Sequence, residues 1–256
     1  MKQKSLLFAL ILILFAGNIS AQQVIAHRGY WKTDGASQNS IAALMKADEI
    51  NVYGSEVDIW LSSDGIPVVN HDADVTLDGK KLIIEETPFT TLQQAKLSNG
   101  ESLPSVEEYL DAFEKCNNIK LIIEFKPHKI KEHEDELVEK VVAMINERGL
   151  QNRVEYISFG INIVQQVRKH TPATPVYYLN GDLTPQLLAK MGAGLDYHHS
   201  VFDRRPEWVK EAHANGQLVN VWTVNSKNDI QKVIDLNVDF ITTDEPLLVR
   251  EMIEAQ

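Results

Sequence analysis

Cysteine is nearly absent from this chain, since Cys116 is the single one among 256 residues. One cysteine excludes an intramolecular disulfide, and its position far from the start of the chain excludes an N-terminal lipid-attachment cysteine. Runs of basic residues are also missing, and 36 acidic residues against 25 basic ones give a net charge of −11. A chain this acidic is a poor partner for nucleic acids and for anionic membranes.

Hydrophobic runs of membrane-spanning length are missing too. The longest apolar run, Leu6–Ala16, follows two lysines and precedes small residues at Ser20 and Ala21. This run is too short to cross a bilayer, and its order of charge, apolar run and small residues is typical of a secretory signal peptide. We therefore predict a signal peptide over residues 1–21, with a retained amphiphilic anchor as the alternative.

The predicted mature chain, residues 22–256, loses two lysines and no acids, so its net charge becomes −13. We expect it to be secreted, with the periplasm as its compartment, and to have no stable membrane insertion after signal removal. No linker, low-complexity tract or internal repeat interrupts it, which favours a single domain.

Apolar extended runs alternate with amphipathic helical patterns through the mature chain. Parallel strands need helical crossovers, and eight strand–helix units close into a (β/α)8 TIM barrel, an α/β fold. A doubly wound open sheet is the alternative. The predicted strands are Val24–His27, Gly54–Trp60, Lys120–Phe125, Arg153–Ser158, Pro175–Leu179, Leu195–His199, Gln217–Thr223 and Asp239–Thr242.

Residues 73–103 fit this alternation least well. They combine polar turns with one small apolar patch, and they are too long for an ordinary loop between a strand and a helix. We predict a small insertion after the second strand region. Because the loops after barrel strands build the active site, the insertion is expected to form part of its rim.

The stretch Ser55–Asp72, SEVDIWLSSDGIPVVNHD, concentrates titratable groups. Glu56 and Asp58 are two residues apart, which places them on one face of a strand. A turn and a second extended run then lead to His71. Such oxygen pairs suit Mg²⁺ or Ca²⁺ better than zinc, and a nearby imidazole suits proton transfer. An exposed acidic strand followed by a surface His-Asp turn is also compatible with this stretch.

Two other predicted strands end in charged residues. His27 and Arg28 end the first, and Glu124 and Lys126 end the third. In a barrel these residues reach the same face as the central acidic stretch, where a divalent cation would relieve repulsion among the carboxylates. An arginine fork and a lysine charge suit a phosphate, and two histidines suit acid and base roles beside a P–O bond.

Four separated motifs resemble the glycerophosphodiester phosphodiesterase family. They are HRG at 27–29, ExDxxxxxDGxPVVxHD at 56–72, ExK at 124–126, and a closing signature with VNVWTVN at 219–225 and VDFITTDEP at 238–246. Together they cover essentially the whole mature chain in order. The resemblance implies an enzyme of TIM-barrel fold that hydrolyses glycerophosphodiesters to glycerol 3-phosphate and an alcohol, with Ca²⁺ or Mg²⁺ as cofactor.

The resemblance also implies a role for each residue that matches the family's site. These residues are the acid and base His27 and His71, the phosphate contacts Arg28 and Lys126, the glycerol contact Trp222, and the metal ligands Glu56, Asp58 and Glu124.

One position departs from the family pattern. The family usually has Pro-Glu-Asn after HRG, with the Glu contributing to the metal site, whereas this chain has Ser37-Gln38-Asn39. Gln38 offers an uncharged carbonyl oxygen, so we expect a weak ligand at most and weaker or altered metal binding. A catalytically impaired ligand-binding relative is therefore one alternative. A phospholipase-like barrel that cleaves intact or lyso-phospholipids is another.

Three further expectations concern polar residues outside these motifs. Asp244 is predicted to cap the last helix. His128 is predicted to lie on the surface. One of His198 and His199 is predicted to face the barrel mouth.

Overall fold

Eight parallel strands close into a barrel in the computed structural model, which describes residues 22–256. The predicted signal peptide lies outside the described residues. In chain order the described strands are β1 (Gln23–Ala26), β2 (Gly54–Leu61), β3 (Pro67–Val69), β4 (Asp74–Leu77), β5 (Lys80–Ile83), β6 (Lys120–Phe125), β7 (Val154–Ser158), β8 (Val176–Tyr178), β9 (Gly194–His198), β10 (Val219–Trp222) and β11 (Phe240–Thr243).

The barrel order is β1-β2-β6-β7-β8-β9-β10-β11, and β11 pairs with β1 to close it. Closure leaves no free edge in this sheet, so the predicted TIM barrel is confirmed and the open sheet is excluded. The remaining strands, β3 to β5, lie outside the barrel. β3 pairs antiparallel with β2, and β4 pairs with β5 as a hairpin.

Helices follow the barrel strands, as the alternation predicts. They are α1 (Ile41–Glu49), α2 (Phe89–Leu92), α3 (Val106–Phe113), α4 (Lys131–Glu147), α5 (Ile161–His170), α6 (Pro185–Met191), α7 (His199–Arg204), α8 (Glu207–Ala214), α9 (Lys227–Asp235) and α10 (Pro246–Glu254). The short helix α7 is a correction, because we predicted His199 as the end of a strand. Among the residues that the structure describes, no helix is long and apolar enough to cross a membrane.

Strand alternation separates two apolar regions. In β2, Val57 and Ile59 pack against the helices in the main core, while Glu56 and Asp58 point to the other side of the strand. Inside the barrel a smaller apolar group fills the space below the charged residues. It comprises Ile25, Ile122, Ile157, Tyr177, Leu179 and Phe240.

The predicted insertion folds as a small layer against β2 and β3. It contains the β4–β5 hairpin, a single 3-10 turn at Ile84–Glu86, and α2. It packs on these strands through an apolar cluster that joins Trp60 and Val68 to Ile84, Leu92 and Leu103 of the insertion. This cluster explains why the segment is ordered despite its polar turns, since each of these side chains is buried.

Gly29, between β1 and α1, sits where the loop approaches α1 most closely. Its φ is +79°, and an added Cβ would lie 2.6 Å from the Cβ of Ala43 and 2.7 Å from its carbonyl carbon. This approach lets the N–H of Tyr30 donate to the carbonyl oxygen of Ala43 at 2.9 Å. A side chain would therefore strain the backbone and push the loop from the helix.

We predict that Gly29→Ala lowers the free energy of unfolding by about 3 kcal/mol, because left-handed strain and a backbone clash add together. Gly35→Ala is the matched control: its φ is +77° but nothing lies within 4 Å of an added Cβ. The control should lose only about 1 kcal/mol. Urea unfolding of both variants measures the difference, and equal losses would contradict the close packing of this loop.

Candidate active site

Three buried carboxylates meet at the carboxyl ends of β2 and β6. Asp58 and Glu124 are direct neighbours in the parallel register of these strands. Glu56 lies two residues before Asp58, on the same face of β2. Candidate ligand oxygens from the three side chains all lie within 4.8 Å of one another. Glu56 is 2% exposed, Asp58 1% and Glu124 8%, so water solvates none of these carboxylates well.

Lys126 compensates part of this negative charge. Its Nζ lies 2.6 Å from Oδ1 of Asp58 and 2.6 Å from Oε1 of Glu124. Burial lowers the pKa of Lys126, but these two carboxylates outweigh it and leave the pKa raised. The lysine therefore remains charged, and its position at the strand end brings that charge into the site.

The pKa values of the carboxylates diverge. Burial raises the pKa of Glu56 well above its ordinary value, and the charges of Asp58 and Glu124 raise it further. Burial and Asp58 also raise the pKa of Glu124. For Asp58, burial opposes ionisation, but Lys126, His71 and Asn39 outweigh it and lower the pKa. More positive charge is needed to ionise all three groups at once.

The loop after β1 delivers Arg28 to the carboxylates in a left-handed conformation, with φ of +55°. Its backbone N–H donates to Oε2 of Glu56 at 2.7 Å, and its Nε lies 3.4 Å from Oδ2 of Asp58. Its Nη1 donates to Oε1 of Gln38 at 2.8 Å. Gln38 therefore contacts the arginine in this structure, and its predicted role as a weak metal ligand stays a prediction.

Asn39 fixes Asp58 from the other side. Its Nδ2 donates to Oδ2 of Asp58 at 2.8 Å, and its Oδ1 accepts from the backbone N–H of Asp58 at 3.1 Å. Asn39 also has a positive φ, of +60°, and directly precedes Ser40, whose Oγ accepts from the N–H of Ala43 to cap α1. The start of α1 and the carboxylate site are thus built by consecutive residues.

His27 is paired with Asp244, a residue for which the sequence predicted a capping role at α10. Nδ1 of His27 lies 2.8 Å from Oδ1 of Asp244, while α10 has no side-chain cap. Trp31 Nε1 and Asn225 Nδ2 also donate to this carboxylate, at 3.1 and 2.8 Å. Burial opposes its ionisation, but the contacts with His27 and these donors lower the pKa of Asp244 to about 2.

The capping prediction for Asp244 was therefore wrong, because the side chain turns to the end of β1. The signal that could have found its role is its position directly after β11, the strand that pairs with β1. The sequence pattern places β11 in the barrel, but it does not connect Asp244 with His27.

His71 has a carboxylate partner in the next residue. Its Nδ1 lies 2.7 Å from Oδ1 of Asp72, and both side chains are more exposed than those of His27 and Asp244, at 41% and 74% against 17% and 14%. Burial lowers the pKa of His71, with Lys126 adding to the effect and Asp58 opposing it. This histidine is therefore neutral near pH 7 and able to accept a proton.

A cavity of about 280 Å³ joins these groups. His27, Arg28, His71, Lys126 and two of the carboxylates share it with an apolar wall and with further polar side chains. Trp222 contributes to the wall, with its Nε1 donating to the carbonyl oxygen of Asp196 at 2.9 Å and its ring 5.5 Å from that of Phe159. The structure thus brings the sequence-predicted catalytic, phosphate and glycerol contacts to one cavity.

The donor set fits a divalent cation. Oε1 of Glu56 is buried and has no hydrogen-bond partner among the described residues. Carboxylate oxygens are the ligands that Ca²⁺ and Mg²⁺ prefer, and a bound cation would favour the ionised form of Glu56 and Glu124, whose pKa values are raised.

Two further histidine predictions have clear outcomes. His128 is half-buried, and its Nε2 accepts from the backbone N–H of Leu61 at 3.0 Å, so the surface prediction was wrong. Burial also lowers its pKa. His198 packs edge-on against Trp222, 5.2 Å between ring centroids, and its Nδ1 accepts from the N–H of Ser200. It supports the indole, and neither His198 nor His199 is among the residues that line the cavity.

Known proteins share this architecture. A crystal structure of a glycerophosphodiester phosphodiesterase from Parabacteroides distasonis superposes with a TM-score of 0.88 and 42% identity, covering 92% of this chain and 98% of that chain. An Oleispira antarctica phosphodiesterase, solved with the product sn-glycerol-3-phosphate, has a TM-score of 0.78 and 25% identity, covering 91% and 97%.

Sequence comparison gives relatives with the same name. The glycerophosphodiester phosphodiesterase of Caldanaerobacter subterraneus subsp. tengcongensis is 30% identical over 236 residues, which is 87% of this chain and 94% of the relative. A sequence model of the glycerophosphoryl diester phosphodiesterase family matches residues 27–248, from the histidine of the HRG motif into α10. On this match, and on the barrel and the cavity that its motifs build, the chain belongs to the glycerophosphoryl diester phosphodiesterase family of enzymes.

Proposed function

We propose that this enzyme hydrolyses glycerophosphodiesters to glycerol 3-phosphate and an alcohol, with a divalent cation, Ca²⁺ or Mg²⁺, at Glu56, Asp58 and Glu124. His27 and His71 are the proposed acid and base. The observation that carries the proposal is one cavity in which two carboxylate-paired histidines face a buried carboxylate cluster and two cationic side chains. Family membership and the product-bound relative support the same reaction.

The proposed chemistry uses the free Nε2 atom of each histidine. Because Nδ1 of both rings contacts a carboxylate, Nδ1–H donation to that carboxylate leaves Nε2 available for proton transfer. One histidine takes the proton of the attacking oxygen as the new P–O bond forms. The other gives a proton to the alcohol oxygen as its P–O bond breaks. Protons therefore balance over the reaction.

Arg28 and Lys126 supply positive charge for the phosphate. The Arg28 side chain lies between Asp58 and Gln38, and Lys126 is held by two carboxylates, so both are positioned before substrate binds. Phosphoryl transfer depends mainly on such positioning and charge neutralisation. A divalent cation at the carboxylate cluster would supply further electrostatic stabilisation of the phosphate oxygens.

A polar groove shares Arg28 and His71 with the cavity and offers room for the alcohol group. Its other lining residues are mostly polar, with Leu97 of the insertion as the aliphatic one. This lining favours a small water-soluble alcohol over an acyl chain, and hence glycerophosphodiesters over intact or lyso-phospholipids.

We also propose that residues 1–21 are a signal peptide and that the mature single-domain enzyme acts outside the cytoplasm, in the periplasm. The two lysines before the apolar run Leu6–Ala16 support this proposal.

We predict metal-dependent release of glycerol 3-phosphate from glycerophosphocholine, abolished by EDTA and restored by Ca²⁺ or Mg²⁺. His27→Ala and His71→Ala should each lower kcat by about 10²- to 10⁴-fold, the usual contribution of a general acid or base. His170→Ala, at an exposed histidine that ends α5, is the control and should keep wild-type activity. A folded wild type without release from any glycerophosphodiester would refute the proposed function.

Asp244→Asn should lower kcat by roughly 10²-fold or more, because the amide no longer holds His27 with Nδ1–H as the donor. Asp72→Asn is the matched comparison, and its loss should be smaller because the Asp72 side chain is 74% exposed and water replaces part of its contact. Steady-state kinetics of both variants, with circular dichroism to verify folding, test this order. The reverse order would contradict an orienting role for Asp244.

Gln38→Glu should change kcat by less than about tenfold, because Gln38 contacts Arg28 and a carboxylate there keeps that contact as a charged hydrogen bond. Turnover and the metal concentration for half-maximal activity should be measured together. A large gain in turnover with tighter metal binding would show instead that residue 38 is a metal ligand and that the natural site is impaired.

A further inference from the structure

Asp196 is a buried carboxyl group that the proposed chemistry does not use. It lies on β9 between Leu195 and Tyr197, which both pack into the main core outside the barrel. Strand alternation therefore points Asp196 into the barrel, and it is among the residues that line the active-site cavity. Its exposure is only 1%, so bulk water barely reaches it.

No cation neutralises this carboxylate in the part of the chain that the structure describes. Its Oδ1 has no hydrogen-bond partner among the described residues. The pKa of Asp196 is raised to about 7, mainly by burial; a hydrogen bond with the Asn220 side chain opposes this rise, and the charge of Glu155 adds to it. A buried hydrogen-bond acceptor without a partner destabilises the fold. An apolar residue would therefore be favoured at this position unless a ligand donates a hydrogen bond to the carboxylate.

Asp196 lies on β9, which is three strands from β6 and three strands from β1 in the barrel order, whereas Arg28 and Lys126 follow β1 and β6. Trp222 donates from its indole Nε1 to the carbonyl oxygen of Asp196, so the proposed glycerol wall and the carboxyl group are fixed to each other. Thr242, which also lines the cavity, already exchanges hydrogen bonds with Asn220 through its hydroxyl, at 2.8 and 3.2 Å. An ionised Asp196 is purely an acceptor, and alcohol hydroxyls are donors that suit it.

We propose that Asp196 is a specificity-determining residue that accepts a hydrogen bond from a hydroxyl of the substrate's glycerol moiety. The proposal rests on the function proposed above. This contact selects diesters whose glycerol moiety carries a free hydroxyl, because a substrate without that hydroxyl leaves the buried carboxylate unsatisfied. Trp222 supplies the apolar face for the carbon chain, and Asp196 supplies the polar end.

The test combines one variant with substrates that lack single hydroxyls. Choline release is measured at pH 8 from glycerophosphocholine and from its two analogues with propane-1,2-diol or propane-1,3-diol in place of glycerol. Wild type should lose on the order of 10- to 100-fold in kcat/KM with at least one analogue, the size expected for a hydrogen bond to a charged group. Asp196→Asn should lose a similar factor on glycerophosphocholine and nothing further on that analogue.

Controls separate recognition from a structural role. Bis(4-nitrophenyl) phosphate has no glycerol, so Asp196→Asn should hydrolyse it at the wild-type rate. Glu155→Gln changes another buried barrel carboxylate, which pairs with Lys120 and is not among the residues that line the cavity, and it should retain wild-type discrimination among the substrates. If Asp196→Asn does not fold, Asp196→Leu provides a second variant of similar size, with thermal unfolding as the check.

Three outcomes would overturn the inference. Equal losses of Asp196→Asn on all substrates, including the nitrophenyl diester, indicate a structural role. If wild type is active on glycerophosphocholine and Asp196→Asn loses no kcat/KM on it, the proposed role of Asp196 is refuted and the proposed function stands. If wild type releases neither choline from glycerophosphocholine nor glycerol 3-phosphate from any other glycerophosphodiester, both proposals are refuted.

Discussion

The burial of three carboxylates at the ends of two adjacent strands is the constraint on which the rest of the site depends. Repulsion and lost hydration make this arrangement unfavourable unless positive charge is close by. Lys126 supplies one charge from the position directly after β6, the strand that carries Glu124, and Arg28 supplies another from the loop after β1. Phosphate-binding cations and candidate metal ligands are therefore one electrostatic unit.

The loop that assembles this unit contains residues with left-handed backbone conformations. Arg28, Gly29 and Asn39 have positive φ values within one loop, two of them in residues with side chains. Each of these residues makes a specific contact: Arg28 with Glu56, Gly29 with α1, and Asn39 with Asp58. The surrounding helix and strand hold these conformations, as is usual for strain at functional sites.

The two histidines illustrate different ways to orient a ring. His27 relies on Asp244, a carboxylate 217 residues away whose pKa its neighbours lower, so its orientation depends on barrel closure. His71 relies on the adjacent Asp72, and this pair is more exposed. Closure of the barrel through β1 and β11 is consequently a requirement for the site as well as for stability.

Sequence by itself determined the parallel barrel, the insertion and the candidate site residues, because strand periodicity, helix patterns and motifs are local in the chain. Only the tertiary structure decided which groups are neighbours. The pairing of His27 with Asp244 and the meeting of Asp196 with the other residues of the cavity join side chains from different parts of the barrel. Such contacts depend on strand register and barrel closure, which local patterns do not encode.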